Sequence, residues 1–261
     1  MKSIPQYTDP GTDLSRYRGR EREQLRARDL VSLMPTSGRR ALDVGARDGH
    51  YARLLSDRFE HVTALDLQQP VIEGENIDCV AGDVTKLNFA DGHFDFVLCA
   101  QVLEHIPRVQ LQGACDELGR VSRKYLLVGV PYKQDIRAGR STCSVCGGKN
   151  PPWGHVNRFD ERTLTALFPA FRVQRISYVD HIHDSTNFLS TWLMDLAGNP
   201  EGTYQQEEPC IHCNAKLLPP GKQAFPRRVA GKAAVLSRKM LAPFKRSHPI
   251  WIHVLFAKRT F

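Results

Sequence analysis

Long apolar runs are missing from this sequence. Hydrophobic residues occupy 41% of its 261 positions, yet no stretch reaches the roughly 20 consecutive apolar residues that a membrane-spanning helix needs. The first residues, MKSIPQYTDPGTDLSRYRGRERE, also lack the apolar core of a signal peptide. These absences argue against a membrane-spanning or exported protein, and we expect a cytoplasmic one.

Acidic residues are absent from residues 216–261, a segment that contains eleven Lys and Arg residues. The formal net charge of +8 comes from this segment, because the rest of the chain has 25 basic against 28 acidic residues. Such a basic block indicates contact with an anionic partner such as nucleic acid, phospholipid or a phosphorylated substrate. A solvated basic face is the alternative.

A disulfide framework is also not indicated. The chain has seven cysteines and no export signal, and four of them form two Cys-x-x-Cys pairs, Cys143 with Cys146 and Cys210 with Cys213. This spacing is typical of zinc knuckles, in which a tight turn directs both thiolates at one ion. We predict one structural zinc bound by all four thiolates, with redox-active or incidental pairs as the alternatives.

The sequence does contain an alternation of predicted strands and helices. A helix rich in Arg and Glu is predicted at 13–34 and ends before Pro35. Strands are predicted at 41–45, 62–66, 77–81, 94–100, 125–130, 171–179 and 251–258. This alternation predicts an α/β fold with a mostly parallel sheet covered by helices.

The stretch ALDVGARDGHYARLL, residues 41–55, passes from an apolar strand through a glycine turn into a helix. A dinucleotide-binding turn starting at its first glycine would need glycines where this chain has Arg47 and His50. The order D-x-G-x-x-x-G, from Asp43 to Gly49, instead resembles motif I of the class I S-adenosylmethionine-dependent methyltransferases.

Aspartates at the ends of the next two predicted strands extend this resemblance. Asp66 lies about twenty residues after the first glycine, where a carboxylate accepts the ribose hydroxyls of an adenosine. Asp83 resembles, by position, the acceptor of the adenine amino group. Arg47 is a departure, because most members of the family have glycine there. The resemblance implies that S-adenosylmethionine is bound by Asp43, Gly45, Ala46, Arg47, Gly49, Asp66, Leu67, Asp83, Val84, Ala100 and Gln101.

The resemblance covers about residues 41–132 and implies a specific fold. This is a Rossmann-like, doubly wound, seven-stranded and mostly parallel sheet with an antiparallel last strand. The predicted domains are an N-terminal helical cap at 1–38, a methyltransferase core at 39–183 and 250–261 with a loop insert at 133–158, and a late insert at 184–249. The late insert contains the second cysteine pair.

The methyl acceptor is less well indicated. After the fourth strand the chain has CAQV at 99–102, where enzymes that methylate amino groups of DNA bases have Asn/Asp-Pro-Pro-Tyr/Phe. No Pro-Cys pair for carbon methylation of cytosine occurs there either. We expect O-methylation of a small molecule or a glycan, including lipid-linked or nucleotide-linked intermediates.

His105 and His155 are the candidate general bases, because neutral imidazole accepts protons near physiological pH. An orienting role for His105 and a hydrogen-bonded loop position for His155 are the alternatives.

Two amphipathic helices are predicted in the late insert. The first carries apolar residues at helical spacing, which we expect to pack on the core, with a lid over the acceptor as the alternative. These residues are Phe188, Leu189, Trp192, Leu193 and Leu196. The second combines basic residues with the apolar stripe Phe225, Val229, Ala233, Leu236 and Met240. For it we expect packing on the sheet first, peripheral contact with an anionic membrane second, and nucleic-acid contact third.

Two further functional hypotheses stay open. An RNA methyltransferase would use the basic segment and the zinc module. A catalytically inactive, zinc-stabilised binding module on a methyltransferase scaffold would account for Arg47. The sequence does not indicate the oligomeric state.

Overall fold

A computed structural model of the chain describes residues 14–183, 186–206, 208–244 and 247–259. The chain divides into two compact units. The first, called the sheet unit, comprises 14–133, Phe159–Asp180 and 249–259. The second, called the cysteine unit, comprises the described parts of Gln134–Arg158 and His181–His248.

The helices and strands alternate along the chain as predicted. The helices are α1 Ser15–Arg18, α2 Glu21–Leu33, α3 His50–Ser56, α4 Arg108–Val121, α5 Glu161–Ala166, α6 Phe188–Leu196 and α7 Phe225–Leu241. The strands are β1 Gly38–Val44, β2 Phe59–Asp66, β3 Ile77–Ala81, β4 Phe94–Ala100, β5 Ser122–Pro131, β6 Ser141–Thr142, β7 Lys149–Asn150, β8 Phe171–Ile182 and β9 His248–Lys258.

Seven strands form one sheet in the order β3-β2-β1-β4-β5-β9-β8. Strands β1 to β5 pair in parallel, and β9 pairs with β5 antiparallel, with Gly129 opposite His253. The predicted doubly wound, mostly parallel sheet is therefore confirmed. The carboxyl ends of β1, β2, β3 and β4 meet at one edge, where such sheets bind ligands.

Strands β3 and β4 have the predicted bounds, whereas β1, β2, β5 and β9 begin three residues earlier than predicted. In β1, β2 and β5 these added positions include exposed basic or acidic side chains, such as Arg39, Glu60 and Arg123. The prediction followed the buried apolar run, whereas backbone pairing continues past it to the exposed ends of the strands.

The hydrophobic core of the sheet unit lies on both faces of the sheet, and β4 is its central strand. Val97 of β4 contributes to the cluster that includes Leu118 of α4. The neighbouring Leu98 contributes to the opposite cluster, which includes Leu30 of α2 and Leu55 of α3. Successive side chains of a strand point to opposite faces, so a strand buried on both faces is apolar throughout.

The helix predicted at 13–34 is interrupted. Helix α1 ends at Arg18 and α2 begins at Glu21, with Arg20 in an extended conformation between them. Position 13 lies outside the described residues. In the cysteine unit, β6 and β7 form a two-stranded antiparallel hairpin that the sequence did not indicate, because each strand has only two residues.

Candidate functional site

The turn after β1 has a backbone that glycine favours. Gly45 and Gly49 have φ angles of +78° and +74°, in the left-handed region. The N–H groups of Gly45 and Ala46 donate to the Leu65 carbonyl at 2.8 and 3.1 Å, which fixes the turn to β2. A Cβ on Gly45 would lie 2.5 Å from Cγ2 of Val102, so this position accepts no larger residue without rearrangement.

Arg47 adopts a glycine-like conformation. Its φ is +44°, its side chain is exposed, and its backbone N–H donates to Oδ2 of Asp66 at 2.9 Å. The backbone at position 47 therefore keeps the left-handed conformation that glycine favours, although the residue is arginine. Its N–H binds the Asp66 carboxylate at the end of β2.

Asp66 lies at the carboxyl end of β2 and is held by two backbone groups. Oδ2 accepts the Arg47 N–H, and Oδ1 accepts the N–H of Leu67 at 2.7 Å. A carboxylate has about four acceptor positions, so both oxygens retain capacity for hydroxyl donors. The side chain is only partly buried, which leaves it accessible to a ligand.

Asp43 is buried beside this turn with one oxygen lacking a partner. The backbone of Ala52 donates to its carboxylate, while Oδ2 has no hydrogen-bond partner among the described residues. Burial raises the pKa of Asp43 to about 7; Arg18 opposes this shift and the Asp66 charge adds to it. A buried acceptor without a partner is costly, so this geometry suits a ligand that donates a hydrogen bond.

The carboxyl end of β3 is closed by a side chain of its own turn. Oδ1 of Asp83 accepts the Thr85 N–H and hydroxyl, both at 2.8 Å, and so closes its own turn. The neighbouring Val84 is buried in the sheet core.

The end of β4 leads into a turn. Ala100 is half-buried, and Gln101 has φ +59° with its N–H donating to the Gly129 carbonyl at 2.8 Å. Gln101 therefore starts a sharp turn at the ligand-binding edge.

Sequence reasoning missed the clamp that Arg18 makes on the glycine turn. Arg18 Nη2 and Nε donate to the two carboxylate oxygens of Asp48 at 2.8 and 3.2 Å. This bidentate pair ties α1 to the loop between the two glycines. The bond also lowers the pKa of Asp48 against the opposing effect of burial.

A buried charged cluster behind the β4 turn was also missed. Glu104 is fully buried, and neither of its carboxylate oxygens has a hydrogen-bond partner among the described residues. Burial raises its pKa to about 8, opposed by the nearby Arg26 charge. Arg26 is itself buried, forms an ion pair with Glu23 and lies over the Trp251 ring at 5.4 Å. Charged residue types are mostly exposed, so nothing in their sequence spacing indicated this burial.

His253 forms a second buried polar group with α2. Its Nδ1 lies 2.6 Å from Oδ2 of Asp29, whose other oxygen accepts the Ser177 hydroxyl. The Nε2 atom has no partner in the described part of the chain, and burial lowers the pKa of His253. The pKa of Asp29 is lowered, so its carboxylate accepts and Nδ1 of His253 donates in this hydrogen bond.

The two predicted general bases belong to different units. His105, in the sheet unit, is half-buried in the turn after β4, where its N–H donates to the Val102 carbonyl at 3.0 Å. His155, in the cysteine unit, is buried with Nδ1 at 2.6 Å from Oε1 of Gln134. Burial lowers its pKa to about 4, so it is neutral at physiological pH.

The four predicted metal ligands come together in the cysteine unit. The Sγ atoms of Cys143 and Cys213 are 3.7 Å apart, those of Cys146 and Cys210 are 3.6 Å apart, and all four lie within 4.8 Å of one another. A tetrahedral zinc with Zn–S distances of about 2.3 Å would place its sulfur atoms roughly 3.8 Å apart. The geometry of the four sulfur atoms therefore fits a Zn²⁺ ion.

Backbone turns and one buried amide build this cluster. In the first knuckle, the Gly147 N–H donates to the Cys143 carbonyl at 3.0 Å, with φ +71° at Gly147. In the second, the N–H of Asn214 donates to the Cys210 carbonyl at 2.8 Å. The buried side chain of Asn150 joins the two knuckles, because it donates to the Gly148 carbonyl at 3.1 Å and accepts the Ile211 N–H at 2.8 Å.

The strand order and the polar groups at the carboxyl edge define a class, the Rossmann-like α/β proteins that bind a ligand beside the first strand. Residues 42–125 match the family model described as a methyltransferase domain. The predicted resemblance is confirmed for this part of the chain, which is a methyltransferase domain.

Solved structures share this fold at low identity. The N-methyltransferase NodS from Bradyrhizobium japonicum WM9, in complex with S-adenosyl-L-homocysteine, has a TM-score of 0.58 at 15% identity over 96% of this chain and 95% of that chain. The cyclase SpnF has a TM-score of 0.54 at 18% identity over 97% and 85%.

A third structure is the Burkholderia thailandensis 1,6-didemethyltoxoflavin-N1-methyltransferase, with bound 1,6-didemethyltoxoflavin and S-adenosylhomocysteine. It has a TM-score of 0.50 at 15% identity over 89% of this chain and 78% of that chain. A comparison with curated protein sequences finds no match.

Proposed function

We propose that the carboxyl edge of β1, β2 and β4 binds S-adenosylmethionine and that the protein methylates a hydroxyl group of a small molecule or a glycan. The observation that carries the binding site is the Asp66 carboxylate, which two backbone N–H groups fix beside the glycine turn. S-adenosylhomocysteine in the NodS and toxoflavin methyltransferase structures supports the same ligand for this fold.

The residues of the edge fit the parts of this cofactor. Asp66 would accept the ribose hydroxyls, and Asp83 with Val84 would flank the adenine. Asp43, the turn from Gly45 to Gly49, and the Ala100 to Gln101 segment would line the remainder. The unpartnered Oδ2 of Asp43 supports the fit, because the cofactor carries an ammonium group that can donate to it. When bound, the cofactor supplies an electrophilic methyl group on a sulfonium.

The chain's own contribution to the reaction is alignment and proton removal. In-line displacement requires that donor and acceptor be held together, which the rigid turns after β1 and β4 would provide. A hydroxyl acceptor must also lose a proton, and His105 and His155 stay the candidates for accepting it. The small-molecule ligand of the toxoflavin methyltransferase supports an acceptor of that size class, although that enzyme is named for methylation at nitrogen.

Calorimetric titration tests the cofactor site. We expect S-adenosylmethionine to bind the intact protein, and Asp66→Asn to weaken binding about tenfold to a hundredfold, because the variant loses a charge-assisted hydrogen bond. Asp78→Asn is the matched control, since Asp78 is an exposed aspartate on the neighbouring strand. Absence of binding by the unmodified protein would reject the proposal.

A methylation screen tests the acceptor. Labelled methyl transfer to hydroxylated metabolites and glycans, followed by mass spectrometry of the products, is expected to show O-methylation. His105→Ala and His155→Ala are compared: the variant that loses the general base should have a kcat lowered by about a hundredfold or more, whereas loss of a histidine that only orients its loop should leave kcat largely unchanged. Turnover on RNA alone would favour the RNA hypothesis, and cofactor binding without any turnover would favour the inactive scaffold.

We also propose that Cys143, Cys146, Cys210 and Cys213 bind one structural zinc. The sulfur spacing near 3.7 Å supports this, and four thiolates leave no open coordination position for catalysis. Metal analysis of the purified protein should find about one zinc per chain, lost in the double variant Cys143→Ser Cys210→Ser. Cys79→Ser, a change in the sheet unit, is the control and should retain the metal. Metal-free protein after purification without chelators would contradict the proposal.

A further inference from the structure

Helix α7 turns its small side chains toward α6. Ala234 is buried, and a Cβ on Gly231 would lie 3.6 Å from Cβ of Ala197, directly after α6. On the same side, Asn187 Nδ2 donates to Oγ of Ser237 at 3.3 Å. The packing between these helices therefore uses alanine, glycine and serine, and leaves the large apolar residues of α7 elsewhere.

Those large residues form an exposed line, called the α7 stripe. Phe225, Val229, Leu236 and Met240 are between 48% and 76% exposed. Successive helical residues advance by about 100°, so the four side chains lie within roughly 60° of one another around the helix. The expectation that this stripe packs on the sheet is wrong, because the small-residue face makes the contact with α6.

Helix α6 is exposed in the same manner. Phe188, Leu189, Trp192 and Leu196 are between 51% and 84% exposed, so the expected packing of these residues on the core is also wrong. Asn187 and Ala197 contact α7 from the other side of α6, so the exposed residues of α6 face away from the α7 stripe. Single exposed apolar residues are common on protein surfaces, but a continuous stripe such as that of α7 marks an interaction surface.

The positive charge of α7 favours an anionic partner. Five basic residues and no acidic residue occur in Phe225–Leu241, and Arg228, Lys232 and Lys239 lie along one flank of the stripe. A two-fold contact between copies of this chain would bring these like charges together, which opposes self-association through the stripe. Nucleic acid would engage the basic flank but leave the apolar stripe in water.

We infer that α7 docks on an anionic phospholipid membrane through the α7 stripe. The stripe would enter the boundary between headgroups and acyl chains while the basic flank meets the lipid phosphates. In the described residues no helix is long and apolar enough to cross a membrane. The inference stands on this surface alone and does not depend on the proposed methyl transfer.

Vesicle sedimentation with the full chain tests the inference. We expect binding to vesicles of phosphatidylcholine with one quarter phosphatidylglycerol, and at least tenfold weaker binding to pure phosphatidylcholine or at high salt. The double variant Leu236→Ser Met240→Ser should weaken binding to the anionic vesicles at least tenfold. Val109→Ser is the matched control, because Val109 is equally apolar and highly exposed on α4 of the sheet unit.

Three results would overturn membrane docking. The first is no sedimentation of the unmodified chain with anionic vesicles. The second is equal binding by the double variant and the control. The third is a concentration-dependent dimer, seen by analytical ultracentrifugation, that dissociates in the double variant, since this assigns the stripe to a second copy. Circular dichroism and zinc content should be unchanged in the variants, because the substituted side chains are exposed.

Discussion

At the scale of single residues, two glycines of the sheet unit differ in what a methyl group would meet. Gly49 has a left-handed backbone, and its added Cβ would lie 2.6 Å from Cγ1 of Ile72. Gly113 lies inside α4 with nothing within 4 Å of an added Cβ. The same chemical change therefore has opposite consequences at the two positions.

We expect Gly49→Ala to lower the free energy of unfolding by about 1–3 kcal/mol and to weaken cofactor binding, because it strains the turn after β1. Gly113→Ala should raise stability by about 0.5–1 kcal/mol, since alanine reduces the backbone entropy lost in a helix. Urea denaturation and calorimetric titration measure both effects. A stabilised Gly49→Ala variant would contradict the assigned geometry.

Glu104 gives a prediction about pH. Burial raises its pKa from 4.5 to about 8, so between these values the folded chain keeps a proton that the unfolded chain releases. The contribution of this group to stability is therefore complete below about pH 4.5 and falls as the pH rises toward 8, by about 1.4 kcal/mol per unit.

Glu104→Gln should remove the pH-dependent contribution of this carboxyl to the free energy of unfolding. The variant should therefore lose less stability than the unmodified protein between pH 5 and about 8. Urea unfolding at a series of pH values provides the measurement. Glu60→Gln, at an exposed position of β2, is the control and should follow the unmodified profile. Parallel profiles for the Glu104→Gln variant and the unmodified protein would show that Glu104 ionises normally in the folded chain.

Residue types at strand ends were predictable from sequence, whereas buried charges were not. Asp66 and Asp83 follow apolar runs that any reader of the chain can locate, and the turn glycines are spaced between a strand and a helix. No sequence pattern indicates that Arg26, Glu104 and His253 are buried. Their burial arises from packing between residues that are far apart in the chain. The clamp of Arg18 on Asp48 was missed for the same reason.

At the scale of elements, the two zinc knuckles depend on one side chain. Asn150 joins them through hydrogen bonds to Gly148 and Ile211. We expect Asn150→Ala to leave the Ile211 N–H without its partner and to leave the Gly148 carbonyl with only the Cys143 N–H, at a cost of about 1–3 kcal/mol. Zinc affinity should fall about tenfold to a hundredfold, as is typical when groups that orient metal ligands are removed.

Competition with a chromophoric chelator measures that affinity. Asn214→Gly is the matched control, because Asn214 occupies a left-handed position of the second knuckle that glycine also adopts. The control should retain zinc as the unmodified chain does. Equal metal loss from both variants would show that Asn150 does not organise the ligands.

The helices of the cysteine unit show what hydrophobic periodicity does not predict. The spacing of Phe225, Val229, Leu236 and Met240 predicted an apolar face, and α7 has one. Periodicity fixes which residues share a face but not what that face contacts. The contact with α6 is made by the opposite, small-residue face, since Ala234 and Gly231 permit close approach.

At the scale of the whole molecule, ligand binding should raise thermal stability. S-adenosylhomocysteine at about 100 times its Kd adds roughly 2.7 kcal/mol to the folded state, because the unfolded chain does not bind it. For a protein of this size this corresponds to a rise in Tm of about 5–10 °C. Differential scanning fluorimetry should show this rise, with a much smaller one for Asp66→Asn and the full rise for Asp78→Asn.

The position of β9 has a consequence for how the molecule is made. This strand follows every other strand along the chain, yet it lies between β5 and β8 in the sheet. While the protein emerges from the ribosome, β5 therefore keeps an unpaired edge, and β8 has no place in the sheet until β9 is complete. Such late, long-range pairing slows folding and lengthens the time for which aggregation-prone edges are exposed. The interval before β9 is released is thus the time when the edge of β5 is open to pairing with other chains.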